Sequence, residues 1–245
     1  MIVFLHGVPE TAAIWRKVRA AIDRPSVALA LPGFGCARPE GFTATKDAYV
    51  EWLLGELDDM DGPIDLVGHD WGAGFVYRVA TAHGQLIRSW AADVGSILHP
   101  DYVWHDIAQV WQTPDVGEQF VQGQNDASPA DRAPLFAAMG VPADDALEMA
   151  SASDETMGYC ILDLYRSATP NPHHHWGPWS TTSAPGLVIH PTDDPFSDEP
   201  KARDMAEALG AGFVRLEGAG HFWPYQAPEA AAALLESFWD GLGLS

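Results

Sequence analysis

Gly68-His69-Asp70-Trp71-Gly72 sets an aspartate between two glycines at the spacing of a nucleophile elbow, G-x-S-x-G. That turn lifts one side chain clear of the backbone between a strand and a helix. Serine, the usual occupant, attacks carbonyl carbon; a carboxylate doing so would form a reactive anhydride. At an sp³ carbon bearing a leaving group, a carboxylate forms an ordinary ester. Such an ester needs a base and a water to clear it. Elbow triads run in the chain order nucleophile, acid, histidine. After Asp70, "IHPTDDPF" at 189–196 offers Asp193 and Asp194, and "GAGHFWP" at 218–224 offers His221 in a Gly-rich turn. Asp93, after the elbow helix, is a third candidate acid. Asp70 alone would read as a helix cap, and His221 alone as a core histidine. Their order and context favour chemistry.

These residues need a scaffold that ends strands where they stand. Apolar runs at Val3–Leu5, Val27–Leu31, Ile64–Val67, Ile87–Ala92, Gly186–His190 and Gly212–Leu216 predict strands. Helical periodicity is expected at Thr11–Ile22, Lys46–Met60, Trp71–His83, Glu199–Leu209 and from Ala227. The alternation implies βαβ units and a mostly parallel sheet of about six strands flanked by helices. From about Leu98 to Thr182 strand signals cease, and helical patterns fill Tyr102–Trp111, Val116–Gln122, Ala130–Met139, Ala143–Ala150 and Glu155–Ser167. The expected division is a core of 1–97 and 183–245 with a helical cap of 98–182.

With 34 acidic against 13 basic residues the net charge is −21, which disfavours nucleic acid and anionic membranes as partners. It also disfavours an anionic substrate unless a local basic pocket overrides it. Two cysteines, Cys36 and Cys160, make no disulfide framework, and Met1-Ile2-Val3-Phe4-Leu5 lacks the basic start of a leader. The expected compartment is the cytoplasm, for a monomer or homodimer. No Gly-rich dinucleotide fingerprint follows a strand, so no cofactor is expected. "PNPHHHWGPW" at 170–179 carries three adjacent histidines, which cannot all face one ion; a hinge loop is expected there, and no metal.

The elbow, the Asp-Pro pair and the His turn together resemble the α/β-hydrolase superfamily, and within it the branch of epoxide hydrolases and haloalkane dehalogenases. His6-Gly7-Val8-Pro9 is similar to that branch's H-G-x-P oxyanion turn. The resemblance implies a sheet without the usual first two strands. It implies that the N–H groups of Val8 and Trp71 hold the oxyanion, and that Asp194, before Pro195, is the acid. Asp93 falls one residue early for the alternative acid position. "LDLYRSATPN" at 162–171 resembles the segment carrying an epoxide hydrolase's proton-donating tyrosine, which selects Tyr165. A second tyrosine is expected upstream of "VWQTPDVGE" at 110–118, but Ile107 holds that place, with Tyr102, Trp104, His105 and Trp111 nearby. His6, Trp104 and Trp111 are candidate pocket residues. The implied activity is hydrolysis of an epoxide on a small, apolar, uncharged molecule through an aspartyl ester. The alternative is a dehalogenase whose Trp71 and a cap Trp bind halide. A non-catalytic ligand-binding protein on the same fold would have no use for a water-activating base.

Overall fold

The computed structural model describes residues 1–177 and 179–243. Pro178, in the 170–179 stretch, and Leu244 and Ser245, at the end of the expected core, lie outside the described residues. The strands are β1 (Ile2–Leu5), β2 (Ser26–Leu29), β3 (Asp65–Gly68), β4 (Ser89–Ala92), β5 (Gly186–Pro191) and β6 (Gly212–Leu216). Among the described residues they form one six-stranded sheet in the order β2-β1-β3-β4-β5-β6, and every neighbouring pair is parallel.

Four of the six strands are buried along their whole length, as a sheet covered on both faces requires. Alternate residues serve opposite faces. Val3 and Leu5 join the layer of α2 (Lys46–Asp58), α3 (Trp71–Ala82) and α9 (Glu199–Leu209). Ile2 and Phe4 pack instead with α1 (Arg16–Ala20), α10 (Trp223–Gln226) and α11 (Pro228–Gly241). The helix expected over Thr11–Ile22 is shorter than its periodicity suggests. Thr11 caps a 3₁₀ turn at Ala12–Trp15, which seats Ile14 and Trp15 under the sheet before α1 begins.

Between β4 and β5, adjacent in the sheet, the chain runs through α4 (Asp106–Gln112), α5 (Val116–Asp126), α6 (Pro129–Ala138), α7 (Ala143–Ala152) and α8 (Glu155–Ser167). α4, α5 and α8 pack together, and α6 pairs with α7. α4 starts four residues later than expected, because the His105 ring accepts the Ala108 N–H and caps it there. Tyr102 and Trp104 are therefore carried on non-helical chain that reaches the carboxyl ends of the strands. In open parallel sheets that edge is where ligands bind.

Candidate active site

β3 delivers the elbow. Asp70 has φ 50° and ψ −121°, a conformation few non-glycine residues adopt, and α3 starts at the next residue. The turn is possible because its neighbours lack side chains. A Cβ on Gly72 would collide with the Leu5 carbonyl, and one on Gly7 with the Asp70 carboxylate. Val8 N–H, in the turn after β1, donates to Asp70 Oδ1 at 2.8 Å. Trp71 N–H opens α3 and has no intrahelical acceptor.

The loops after β5 and β6 bring up the other two groups. His221 Nε2 stands 3.9 Å from Asp70 Oδ2, facing it beyond hydrogen-bond distance. Its Nδ1–H donates to Asp194 Oδ2 at 3.1 Å, while Asp194 Oδ1 accepts from Phe196 N at 2.9 Å. Burial works against both charges, yet each outweighs it for the other. Asp194 is held below its ordinary value by the charge and hydrogen bond of His221, and His221 above its own by those of Asp194, with Asp70 adding to the effect. Burial raises the Asp70 carboxyl, with His221 opposing. Asp193 is exposed and accepts from the Thr192 hydroxyl, away from the ring.

Asp93 has a different place. Its Oδ1 accepts the Asp70 N–H at 2.9 Å, and its Oδ2 accepts from Trp223 Nε1 at 2.6 Å and His69 Nδ1 at 2.5 Å. The far nitrogen of His69 meets Glu10 Oε1 at 2.9 Å, off the line of a good hydrogen bond, and Glu10 Oε2 accepts the Gly7 N–H at 2.8 Å. Burial disfavours the imidazolium of His69, but two carboxylates overcome this and hold its pKa well above normal. A carboxylate–imidazolium–carboxylate bridge thus ties the turn after β1 to the elbow and to the segment after His221. Glu10 and His69 were not singled out from sequence; a glutamate after Pro9 and a histidine inside the elbow carry no sign of being partners. Glu10, His69 and His221 place ligand atoms within 4.8 Å of one another, the described residues' one cluster with metal-ligand spacing. There Glu10 already engages His69.

The pocket over Asp70 is lined by Trp71, Tyr102, Trp104, His105 and Phe196 among others and encloses about 20 Å³, room for one water. His6 is not part of it. Burial lowers His6 to about 4, and the neutral ring pins the chain by donating to Gly7 O and accepting from Leu31 N. Tyr165 is buried, its ring centroid 5.4 Å from Trp71, 4.9 Å from Trp104 and 4.7 Å from Trp111. Burial first, and then the charge of Asp70, push its hydroxyl well above the ordinary tyrosine value. The same two causes raise Tyr102, so the field of Asp70 reaches both phenols. Ile107 is only half-buried, against the core. Trp104 Nε1–H is committed to Ala168 O at 3.0 Å. Trp71 Nε1–H is buried with no hydrogen-bond partner, although the indole lies near enough to Tyr165 to influence its titration. Trp111 faces a separate cavity beside Pro9. His173 touches Ile97 O, while His174 and His175 are exposed, so the three do not converge.

Known proteins are similar to this chain. A haloalkane dehalogenase of Mesorhizobium japonicum is 26% identical over 183 residues, which is 70% of this chain but 53% of that protein, so the chain spans about half of that relative. Epoxide hydrolase A of Mycobacterium tuberculosis is 25% identical over 307 aligned positions, covering 100% of this chain and 91% of that one. The crystal structure of a Bacillus megaterium epoxide hydrolase with an inhibitor shares the fold, with a TM-score of 0.81 and 20% identity over 98% of this chain and 93% of that chain. The sequence profile of the alpha/beta hydrolase family matches residues 2–234, and the chain belongs to that family.

Proposed function

We propose that this α/β-hydrolase opens an epoxide in two steps through an ester on Asp70, with residues 98–182 acting as the cap over the site. The observation that carries this reading is the facing pair Asp70 and His221, 3.9 Å apart, with Asp194 behind the ring. Asp70 attacks an epoxide carbon as the C–O bond breaks, and the departing oxygen takes its hydrogen bond, then its proton, from Tyr165. His221 Nε2 removes a proton from water, which adds to the ester carbonyl. The resulting oxyanion is held by the N–H groups of Val8 and Trp71. Collapse returns the Asp70 carboxylate and a diol, and the His221 proton restores the tyrosine. Because burial raises the Tyr165 hydroxyl well above the ordinary tyrosine value, the phenol carries its proton when the epoxide arrives.

The charges also order the steps. In the resting site Asp194 and Asp70 both favour the imidazolium of His221. Esterification discharges Asp70 and so releases the ring to act as a base. In an Asp70→Asn variant, His221 should titrate lower than in the wild type by ¹⁵N-histidine NMR; an unchanged or higher value would refute the coupling.

A hydrogen bond that strengthens as charge grows on the leaving oxygen lowers the barrier itself. Losing one of this kind costs about 1.5–3 kcal/mol. Tyr165→Phe should therefore slow alkylation of Asp70 by an epoxide roughly ten- to a hundredfold in single-turnover kinetics, and spare hydrolysis of an ester already formed. Tyr102, which lines the pocket over Asp70, is the candidate second donor. A halide would leave without a proton and needs N–H donors. Trp71 Nε1–H is free for that role, whereas the indole N–H of Trp104 is taken. A panel of epoxides and haloalkanes, assayed for diol and for halide, tests the assignment: halide release with no diol would replace it by the dehalogenase reading.

A further inference from the structure

A second cavity, of about 170 Å³, lies among α5, α6 and α8. An apolar void of ~150 Å³ accepts a benzene-sized guest. The wall is largely apolar, with Trp111, Phe120, Val121, Phe136, Met157 and Ile161. Pro9 lines it too, one residue from the Val8 N–H that touches Asp70. Trp111 lies against Tyr165, with the rings tilted and their centroids 4.7 Å apart. One residue and one ring therefore separate this cavity from the candidate nucleophile's surroundings.

Arg132 is the one cation among the described residues of that wall, which also holds Gln124, Asn125, Ser153 and Asp154. It is 8% exposed, and among the described residues it forms no ion pair. Nη1 and Nη2 share a single acceptor, Ser153 O, each at 3.3 Å, and Nε–H is buried with no partner. A guanidinium has five donors in a rigid fork that matches a carboxylate. Burying such a cation without a counter-ion is unfavourable. The chain has 34 acidic residues, yet among the described residues none comes within ion-pair distance of this one. Asp154, also in the lining, is exposed and holds the Met157 N–H that starts α8.

We propose that this cavity binds the apolar chain of a medium-chain carboxylate, whose carboxylate pairs with Arg132 and whose other end points toward Asp70. It would select electrophiles that carry a distal carboxylate on an apolar linker, a local exception to the repulsion an acidic protein exerts on anions. The selection rests on the aspartyl-ester reading; the binding does not.

Octanoate and 1-octanol, alike in length and different in charge, are the probes. In calorimetric titration octanoate should bind at least tenfold more tightly than octanol. Arg132→Met should abolish the difference, and Arg132→Lys, which keeps the charge without the fork, should retain part of it. If Arg132 served only to hold the Ser153 carbonyl, its replacement would lower Tm without changing the ratio of the two affinities. Equal affinity in the wild type, no binding of either probe, or an unchanged ratio in Arg132→Met would overturn the proposal. An Arg132-dependent preference in a protein that forms no adduct on Asp70 would refute the ester reading and leave the carboxylate site standing.

Discussion

Replacing His221 with Gln should halt the reaction at a covalent ester on Asp70. Alkylation needs only the carboxylate and a polarised leaving group, and neither is supplied by the imidazole. Hydrolysis of the ester needs a base for water, and His221 Nε2 is the ring nitrogen that faces Asp70. Intact-mass spectrometry after incubation with a turned-over epoxide should show near-stoichiometric addition of the substrate's mass. Steady-state turnover should fall by several orders of magnitude, as when one member of a catalytic unit is removed. Peptide mapping should place the adduct on the segment containing Asp70. An adduct elsewhere, or full turnover without His221, would refute both assignments.

Asp194→Asn should be nearly as damaging. An amide can neither stabilise the charged ring nor enforce the tautomer that leaves Nε2 free as a base. In serine triads the equivalent change costs on the order of 10⁴ in turnover. Asp93→Asn offers the contrast. Asp93 bonds the elbow backbone, Trp223 and His69, and its bonds do not include His221. Its loss weakens a buried charge pair, a defect worth about 3–5 kcal/mol of stability. The Asp93 variant should therefore unfold at lower denaturant while the folded fraction keeps most of its turnover. The reverse ranking in kcat per folded molecule would move the orienting acid from the strand β5 loop to the end of β4.

The sheet was legible because each strand is a mostly apolar run and each connection carries helical periodicity. Asp70, Asp194 and His221 were legible as an order along the chain, and the structure brings those three side chains together. What could not be read were relations between distant residues of ordinary appearance. Glu10 and His69 are 59 positions apart and become partners only when β1 and β3 pair. Tyr102 stood outside the spacing expected of a tyrosine, and its access to the pocket depends on α4 starting at Asp106, a boundary set by the His105 cap. His6 looked like a pocket residue because it precedes the glycine turn, yet its ring nitrogens are spent on backbone. Arg132 reads as one basic residue in the first turn of a mostly apolar helix; its burial comes from how α6 meets the end of α7.

The vacant positions at Gly7 and Gly72 bear on how this protein can diverge. The Asp70 carboxylate rests where a Gly7 side chain would be, and the Leu5 carbonyl rests where one on Gly72 would be. The spacing between the Asp70 carboxylate and Val8 N–H is therefore set by missing carbons, which no compensating substitution nearby can imitate. Single-step variation at the elbow is closed in either direction, whereas the helices between β4 and β5 accept changes without disturbing that spacing. New substrate ranges are to be sought in the lining of α5, α6 and α8, over a candidate reaction centre that stays as it is.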